Sequence, residues 1–205
     1  MGTFYLSPGA IGPCMEGVYR PAEDTLLLLR HAEERVEGSV LEVGTGSGVI
    51  AVVMALKSSV SRVVATDIDP AAIEAAAIRA REAGVAERIE FKVCDLFEGV
   101  EGRFDWILFN PPYLPSEGPT DEPSWSGGNE GYETTLRFLE QAVRHLKEDG
   151  RILLISSSQT GLRRDEVERI FSFEVLEELP LFYERLYCLL FSPLSPSGSP
   201  GRSRR

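Results

Sequence analysis

Amides, lysine, cysteine and tryptophan are all scarce in this sequence. Its 205 residues include two asparagines (Asn110 and Asn129), two glutamines (Gln141 and Gln159), three lysines, three cysteines and two tryptophans. The cysteines, Cys14, Cys94 and Cys188, are odd in number, far apart and without C-x-x-C spacing. They give no disulfide framework or zinc cluster and read as core thiols. No apolar run approaches the roughly 18 residues a membrane-spanning helix needs, and Leu26 to Leu29 is only a short core patch. The opening MGTFYLSPGA lacks a basic segment followed by a long apolar one, so no secretory signal is expected and the chain reads as cytoplasmic.

Positive charge is also in deficit. Lys+Arg number 21 against 32 Asp+Glu, a net charge of -11. This argues against a protein that grips nucleic acid unaided, because phosphate binding draws on clustered Lys and Arg. A hydrophobic share of 43% with 26% charged residues is that of a globular chain, and the length suits one domain. From Ser192 the composition changes to SPLSPSGSPGRSRR, which has no acid and little to bury. Residues 192–205 are therefore expected to form a disordered tail behind a folded domain of residues 1–191. Without the tail's three arginines, the domain's charge is near -14.

Within the domain, short runs rich in β-branched or aromatic residues alternate with helical patterns. Val40–Val43, Val63–Thr66, Ile89–Val93, Trp106–Phe109 and Ile152–Ile155 read as strands. A helix is expected over Pro70–Ala83, capped by Asp69 and ended by Gly84, and another over Thr134–Lys147 before Gly150. This alternation implies an α/β fold with a parallel sheet covered on both faces. Two further strands, Glu174–Leu179 and Leu186–Phe191, are separated only by PLFYER, which leaves no room for a crossover helix. That pair should be antiparallel, for seven strands in all.

The first strand runs into a glycine-rich turn and a helix, VLEVGTGSGVIAVVMA. Gly44, Gly46 and Gly48 let the backbone turn sharply and approach a ligand at the positive end of that helix. The pattern suits a nicotinamide, a flavin or S-adenosylmethionine (SAM) equally well. Asp67, at the end of the second strand, is placed to accept both hydroxyls of an adenosine ribose, and a dinucleotide enzyme would also put an acid there. Asp95, in VCDLF, falls at the same edge of the sheet, where a carboxylate can accept from an adenine amino group while a neighbouring backbone N–H meets the ring. Glu42 interrupts an apolar strand, so it needs a fixed donor or a cation such as the cofactor's ammonium group.

The fourth strand ends in FNPPY. Two prolines stop the ladder and leave the Pro111 carbonyl without a partner. Together with the Asn110 side-chain oxygen it can accept both hydrogens of a planar NH2 group. Such a clamp would hold a poorly nucleophilic nitrogen toward a methyl donor. Tyr113 offers a ring for a planar amide or base to stack on.

The combination of VYRPAEDT (Val18 to Thr25), LEVGTGSG, TDIDP, CDLF and FNPPY resembles the HemK-type protein glutamine N5-methyltransferases. The segment DEPSWSGGNEG is similar to the S-W-x-G-G stretch of the archaeal and eukaryotic branch. The resemblance implies a Rossmann-like class I SAM-dependent methyltransferase, with a seven-stranded, mostly parallel sheet and an antiparallel C-terminal strand. It implies SAM contacts from Thr25, Glu42, Gly44, Asp67, Asp95, Leu96 and Asn110, with Gly46 in the same turn. It further implies that Asn110, Pro111 and Tyr113 hold the Gly-Gly-Gln glutamine of a class 1 translation release factor, and that a small zinc-binding activator subunit completes a heterodimer. NPPY alone is shared with amino-methyltransferases of adenine or guanine in RNA or DNA, which is the alternative reading. Bacterial members carry an N-terminal recognition domain, whereas only about 20 residues precede the SAM fold here. Recognition is therefore expected from the partner, the N-terminal segment, or the loop Leu114–Glu133. That loop carries Glu117, Asp121, Glu122, Glu130 and Glu133, has no Lys or Arg, and would suit a basic protein surface.

Overall fold

The computed structural model describes residues 22–112, 132–159 and 163–194. Cys14, Tyr113, the acidic loop as far as residue 131 and the tail from residue 195 lie outside them. The described elements run α1 (Glu23–Arg35), β1 (Gly38–Val43), α2 (Val49–Leu56), β2 (Val60–Asp67), α3 (Pro70–Glu82), β3 (Ile89–Val93), β4 (Phe104–Phe109), α4 (Glu133–Ala142), β5 (Leu146–Ser157), α5 (Arg164–Val167), β6 (Phe171–Pro180) and β7 (Arg185–Pro193).

Seven strands form one sheet in the order β3-β2-β1-β4-β5-β7-β6. The pairs among the first five are parallel, and β7 runs antiparallel to both β5 and β6. The chain order reverses between β1 and β4, so the C-terminal ends of these two strands flank a crevice. One face of the sheet is covered by α1, α2 and α3, through residues such as Leu27, Leu28, Met54 and Ala80. The other is covered by α4 and α5, through Phe138, Leu139 and Val167 against Leu41, Ile107 and Ile152. Burial on both faces explains why β1, β4 and β5 read as continuous apolar runs.

The expected α3 is present, with Asp69 accepting from the Ala71 N–H at 2.8 Å and Pro70 in its first turn. The second expected helix is shorter than Thr134–Lys147. It stops at Ala142, a 3-10 turn follows over Val143–His145, and Leu146 already pairs with Phe104 in the sheet. Its buried face is Thr135, Phe138, Leu139 and Ala142. Gly150 does not end a helix. It sits inside β5, where a Cβ would come within 2.9 Å of the Phe104 carbonyl and of the Leu146 side chain. The glycine admits the close approach by which β5 bulges, since Leu146 faces Phe104 and Arg151 faces Trp106. At the other end, Ser192 and Pro193 continue β7 opposite Ser172 and Phe171, so the strand outlasts the composition break by two residues.

Candidate active site

Beyond β1 the chain turns through Gly44, Gly46 and Gly48, all at positive φ. The reasons for glycine differ between the ends of this turn. At Gly44 (φ +65°) a Cβ would sit 3.5 Å from the Phe109 ring, an ordinary contact, so the backbone angle alone favours glycine. At Gly48 (φ +76°) a Cβ would lie 2.6 Å from the Ala76 Cβ and 2.7 Å from its Cα. There, close packing of the turn on α3 adds a second reason. Arg79 of α3 donates to the Ser47 carbonyl at 2.7 Å and fixes the same approach.

The turn is bound to the end of β2. The Thr45 N–H donates to the Thr66 carbonyl at 2.9 Å, and the Gly46 N–H donates to Asp67 Oδ2 at 2.8 Å. The Asp69 N–H reaches Asp67 Oδ1 at 3.0 Å. Asp67 thus keeps both oxygens fixed at the crevice, with lone pairs left over for a ligand. Burial pushes its carboxyl above the ordinary range, and the N–H groups of Asp69 and Gly46 act in the opposite direction.

Glu42 is only 4% exposed and accepts from Thr45 Oγ1 at 2.7 Å. Burial pushes its carboxyl up to about 8, against the pull of Thr45 and the Ala51 N–H, and the charge of Asp67 adds to the rise. At the first turn of α1, Thr25 and Asp24 are both buried, and the Thr25 N–H donates to Asp24 Oδ1 at 2.5 Å. Asp24 and Thr45 were not legible as site residues. Their signal is a buried polar group beside an already suspicious one.

Leu96 is the only non-glycine at positive φ (51°) among the described residues. Such a conformation costs about 1–3 kcal/mol and is held only where the surroundings demand it. Here the Leu96 carbonyl accepts from Thr66 Oγ1 at 3.3 Å while the side chain is buried. The neighbouring Asp95 stands at the crevice edge but is not unengaged: Arg137 of α4 grips its Oδ2 at 2.6 Å. The pair borders a cleft also lined by Phe97, Gln141 and His145.

At the end of β4, Phe109 pairs with Val43 of β1, and its ring stacks on Phe138 with centroids 4.3 Å apart. Asn110 therefore follows directly beside the glycine turn. Its Oδ1 is buried and has no hydrogen-bond partner among the described residues, and Pro111, also buried, contributes no N–H. A buried acceptor without a donor is costly and marks a place where a ligand's N–H would be bound. The structure thus brings Glu42, Gly44, Gly46, Asp67, Leu96 and Asn110 around one crevice. No group of three or more His, Cys, Asp or Glu suited to a metal occurs among the described residues. Nor is any helix there long and apolar enough to cross a membrane.

Comparison with known proteins places this geometry among methyl-transferring enzymes. Residues 19–179 match the model of the methyltransferase small domain. A Methanocaldococcus jannaschii protein, provisionally named a protein N5-glutamine methyltransferase, is 36% identical over 178 residues, which span 82% of this chain and 88% of that one. The release factor glutamine methyltransferase of Cereibacter sphaeroides is 35% identical over 151 residues, 69% of this chain. This chain spans only about half the length of that bacterial relative, 54%. Among solved structures, the E. cuniculi Mtq2–Trm112 complex, described as responsible for methylating the eRF1 translation termination factor, superposes with a TM-score of 0.67. The match has 27% identity and covers 87% of this chain and 99% of that one.

Proposed function

The chain belongs to the methyltransferase small domain family and, within it, to the HemK-type protein glutamine N5-methyltransferases, and from that premise we propose that it methylates the Gly-Gly-Gln glutamine of a class 1 translation release factor. The observation that carries this reading is the buried Asn110 Oδ1, without a partner among the described residues, at the mouth of the crevice and next to a backbone that two prolines have stripped of N–H groups.

SAM, when bound, supplies a methyl group on a positively charged sulfur. The residues present fit such a cofactor. Asp67 has lone pairs for the ribose hydroxyls, and Asp95 together with the Leu96 backbone would hold the adenine. Glu42 would answer the ammonium group, and Gly44, with Thr25 as the family resemblance implies, would wall the cofactor in. The exposed Ile68, directly after Asp67, offers an apolar surface for the ring.

The chain's work on the substrate is positional. An amide nitrogen is a poor nucleophile because its lone pair is delocalised into the carbonyl. Asn110 Oδ1 and the Pro111 carbonyl accept its two hydrogens, and Tyr113, outside the described residues, is the ring expected from the sequence to take the amide plane. As the nitrogen leaves planarity its N–H groups become more acidic, so both acceptors bind the transition state more tightly than the ground state. The nitrogen so held would take the methyl group that SAM supplies, and its surplus proton would pass to water. No strong base is required before attack.

The small zinc-binding subunit is the proposed partner, a reading supported by the two-chain composition of the E. cuniculi complex. The deciding experiment offers radiolabelled SAM with an intact release factor, its Gln→Ala variant, and RNA and DNA oligomers, each with and without the partner. Label on the factor that vanishes in the Gln→Ala variant is the expected result. Label on nucleic acid and none on the factor overturns the reading.

A further inference from the structure

The turn between β6 and β7 presents two aromatic side chains to solvent, Phe182 at 90% and Tyr183 at 86% exposure. They pack edge-to-face on each other, with centroids 4.6 Å apart and planes at 80°. The turn is braced on both sides. The Leu181 N–H donates to the Glu184 carbonyl at 2.8 Å, closing the turn itself. Ser157 Oγ donates to Glu184 Oε2 at 2.5 Å, and Gln159 Nε2 reaches the Tyr183 carbonyl at 3.4 Å. The Ser158 N–H donates to the Arg185 carbonyl at 2.8 Å, and the Arg185 N–H returns to Ser158 Oγ at 3.1 Å. The turn is held to the end of β5 with its rings outward.

The register locates the pair relative to the active site. Phe109 pairs with Leu154, and Leu154 with Leu189, so Asn110 is level with Ile155 and Cys188. Because β7 runs antiparallel to β4, Tyr183 lies five positions farther out on the same edge of the sheet. At about 3.3 Å per residue Arg185, where β7 begins, stands roughly 10 Å beyond Asn110, the turn rises farther still, and two strand spacings set it about 10 Å to the side. The aromatic pair is therefore a raised point beyond and to one side of the catalytic asparagine. A glutamine side chain that enters the crevice leaves the body of a folded substrate outside, at the height of this turn. A standard protein interface of about 800 Å² per partner is roughly 30 Å across, which takes in both points. Exposed aromatics on a rigid turn are the residue type that anchors such interfaces.

We propose that Phe182 and Tyr183 form a docking point for the folded protein substrate, received by an apolar patch on the domain that carries the target glutamine. This rests on the proposed glutamine-methylating function and adds a recognition surface separate from the crevice.

The test compares the full chain, complexed with its partner subunit, with F182S/Y183S and with the apolar replacement F182L/Y183L. Each is assayed on an intact release factor and on a short peptide containing only the Gly-Gly-Gln loop. F182S/Y183S should raise KM for the intact factor about tenfold, leaving kcat at saturation and peptide turnover within about twofold of wild type. F182L/Y183L should recover most of the loss. An unchanged KM on the intact factor overturns the docking point, as does an equal loss on factor and peptide. It also falls if sedimentation shows that the serine pair splits a dimer of the wild type, since the rings would then be covered by a second copy. Wild-type enzyme that labels no glutamine on either substrate removes the glutamine-methylating reading itself, and the docking point with it. Active wild type matched by F182S/Y183S removes the docking point alone.

Discussion

Thr45 Oγ1 donates to the buried Glu42 across 2.7 Å, and burial pushes the carboxyl so held up to about 8. The ordinary glutamate value is 4.5. Between these two values the folded chain keeps a proton that the unfolded chain has lost. Stability from this group is thus fully present below about 4.5 and is lost as the pH rises through about 8. The Glu42→Gln variant cannot lose that proton, so its melting temperature should fall less than that of wild type between pH 5 and pH 8. Calorimetry of both proteins across this range checks it, and parallel curves would contradict the assignment. If Glu42 answers the ammonium of SAM, wild-type affinity for SAM should also rise as the pH approaches 8, and this rise should be absent from Glu42→Gln.

Asn110 offers a different signature. Among the described residues its Oδ1 has no partner to lose, so Asn110→Ala should leave the melting temperature close to that of wild type. Transfer should nevertheless fall by about 10²–10³-fold, the usual loss when one group of a pre-arranged polar clamp is removed. Isothermal titration with SAM, paired with single-turnover transfer, separates the two effects. Retained transfer with intact SAM binding would refute the clamp.

Gly48 and Gly84 make a matched pair, with φ of +76° and +71°. At Gly84 a Cβ would meet nothing within 4 Å, whereas at Gly48 it would strike Ala76. Gly84→Ala should therefore cost about 1 kcal/mol, the left-handed backbone penalty alone. Gly48→Ala should cost about 3 kcal/mol, because overpacking against α3 is added to that penalty. Urea denaturation measures both. Adding Ala76→Gly to Gly48→Ala should restore part of the loss, and no recovery would place the strain elsewhere.

All seven strands, the parallel pairing of the first five and the antiparallel pairing of the last two were readable in the sequence, because burial on both faces writes itself as β-branched runs. Glu42, Asp67 and Asn110 were readable for a related reason: a polar residue at the end or in the middle of such a run needs an explanation. What escaped depends on contacts between distant segments. Nothing local marks Gly150 as a point where β5 crowds Phe104, so it passed for a helix stop. Asp95 was expected at the crevice edge as an acceptor for an adenine amino group, and its tie to Arg137, 42 positions away, was not legible because it is a product of where α4 lands. PLFYER was visible only as a spacer too short for a helix. That its two rings stand outward on the catalytic edge required the register of β7.

The position of β7 in the sheet has a consequence for how the molecule is built. It is made after β6, yet it lies between β5 and β6 and hydrogen-bonds to both. During synthesis the parallel strands can assemble as they emerge, but β5 presents an open edge until its partner arrives, and β6 has nothing to join. The last strand is thus a keystone rather than a trim. Nascent chains halted before Arg185 should be targets for chaperones and for edge-to-edge aggregation, and closure should set the pace of maturation.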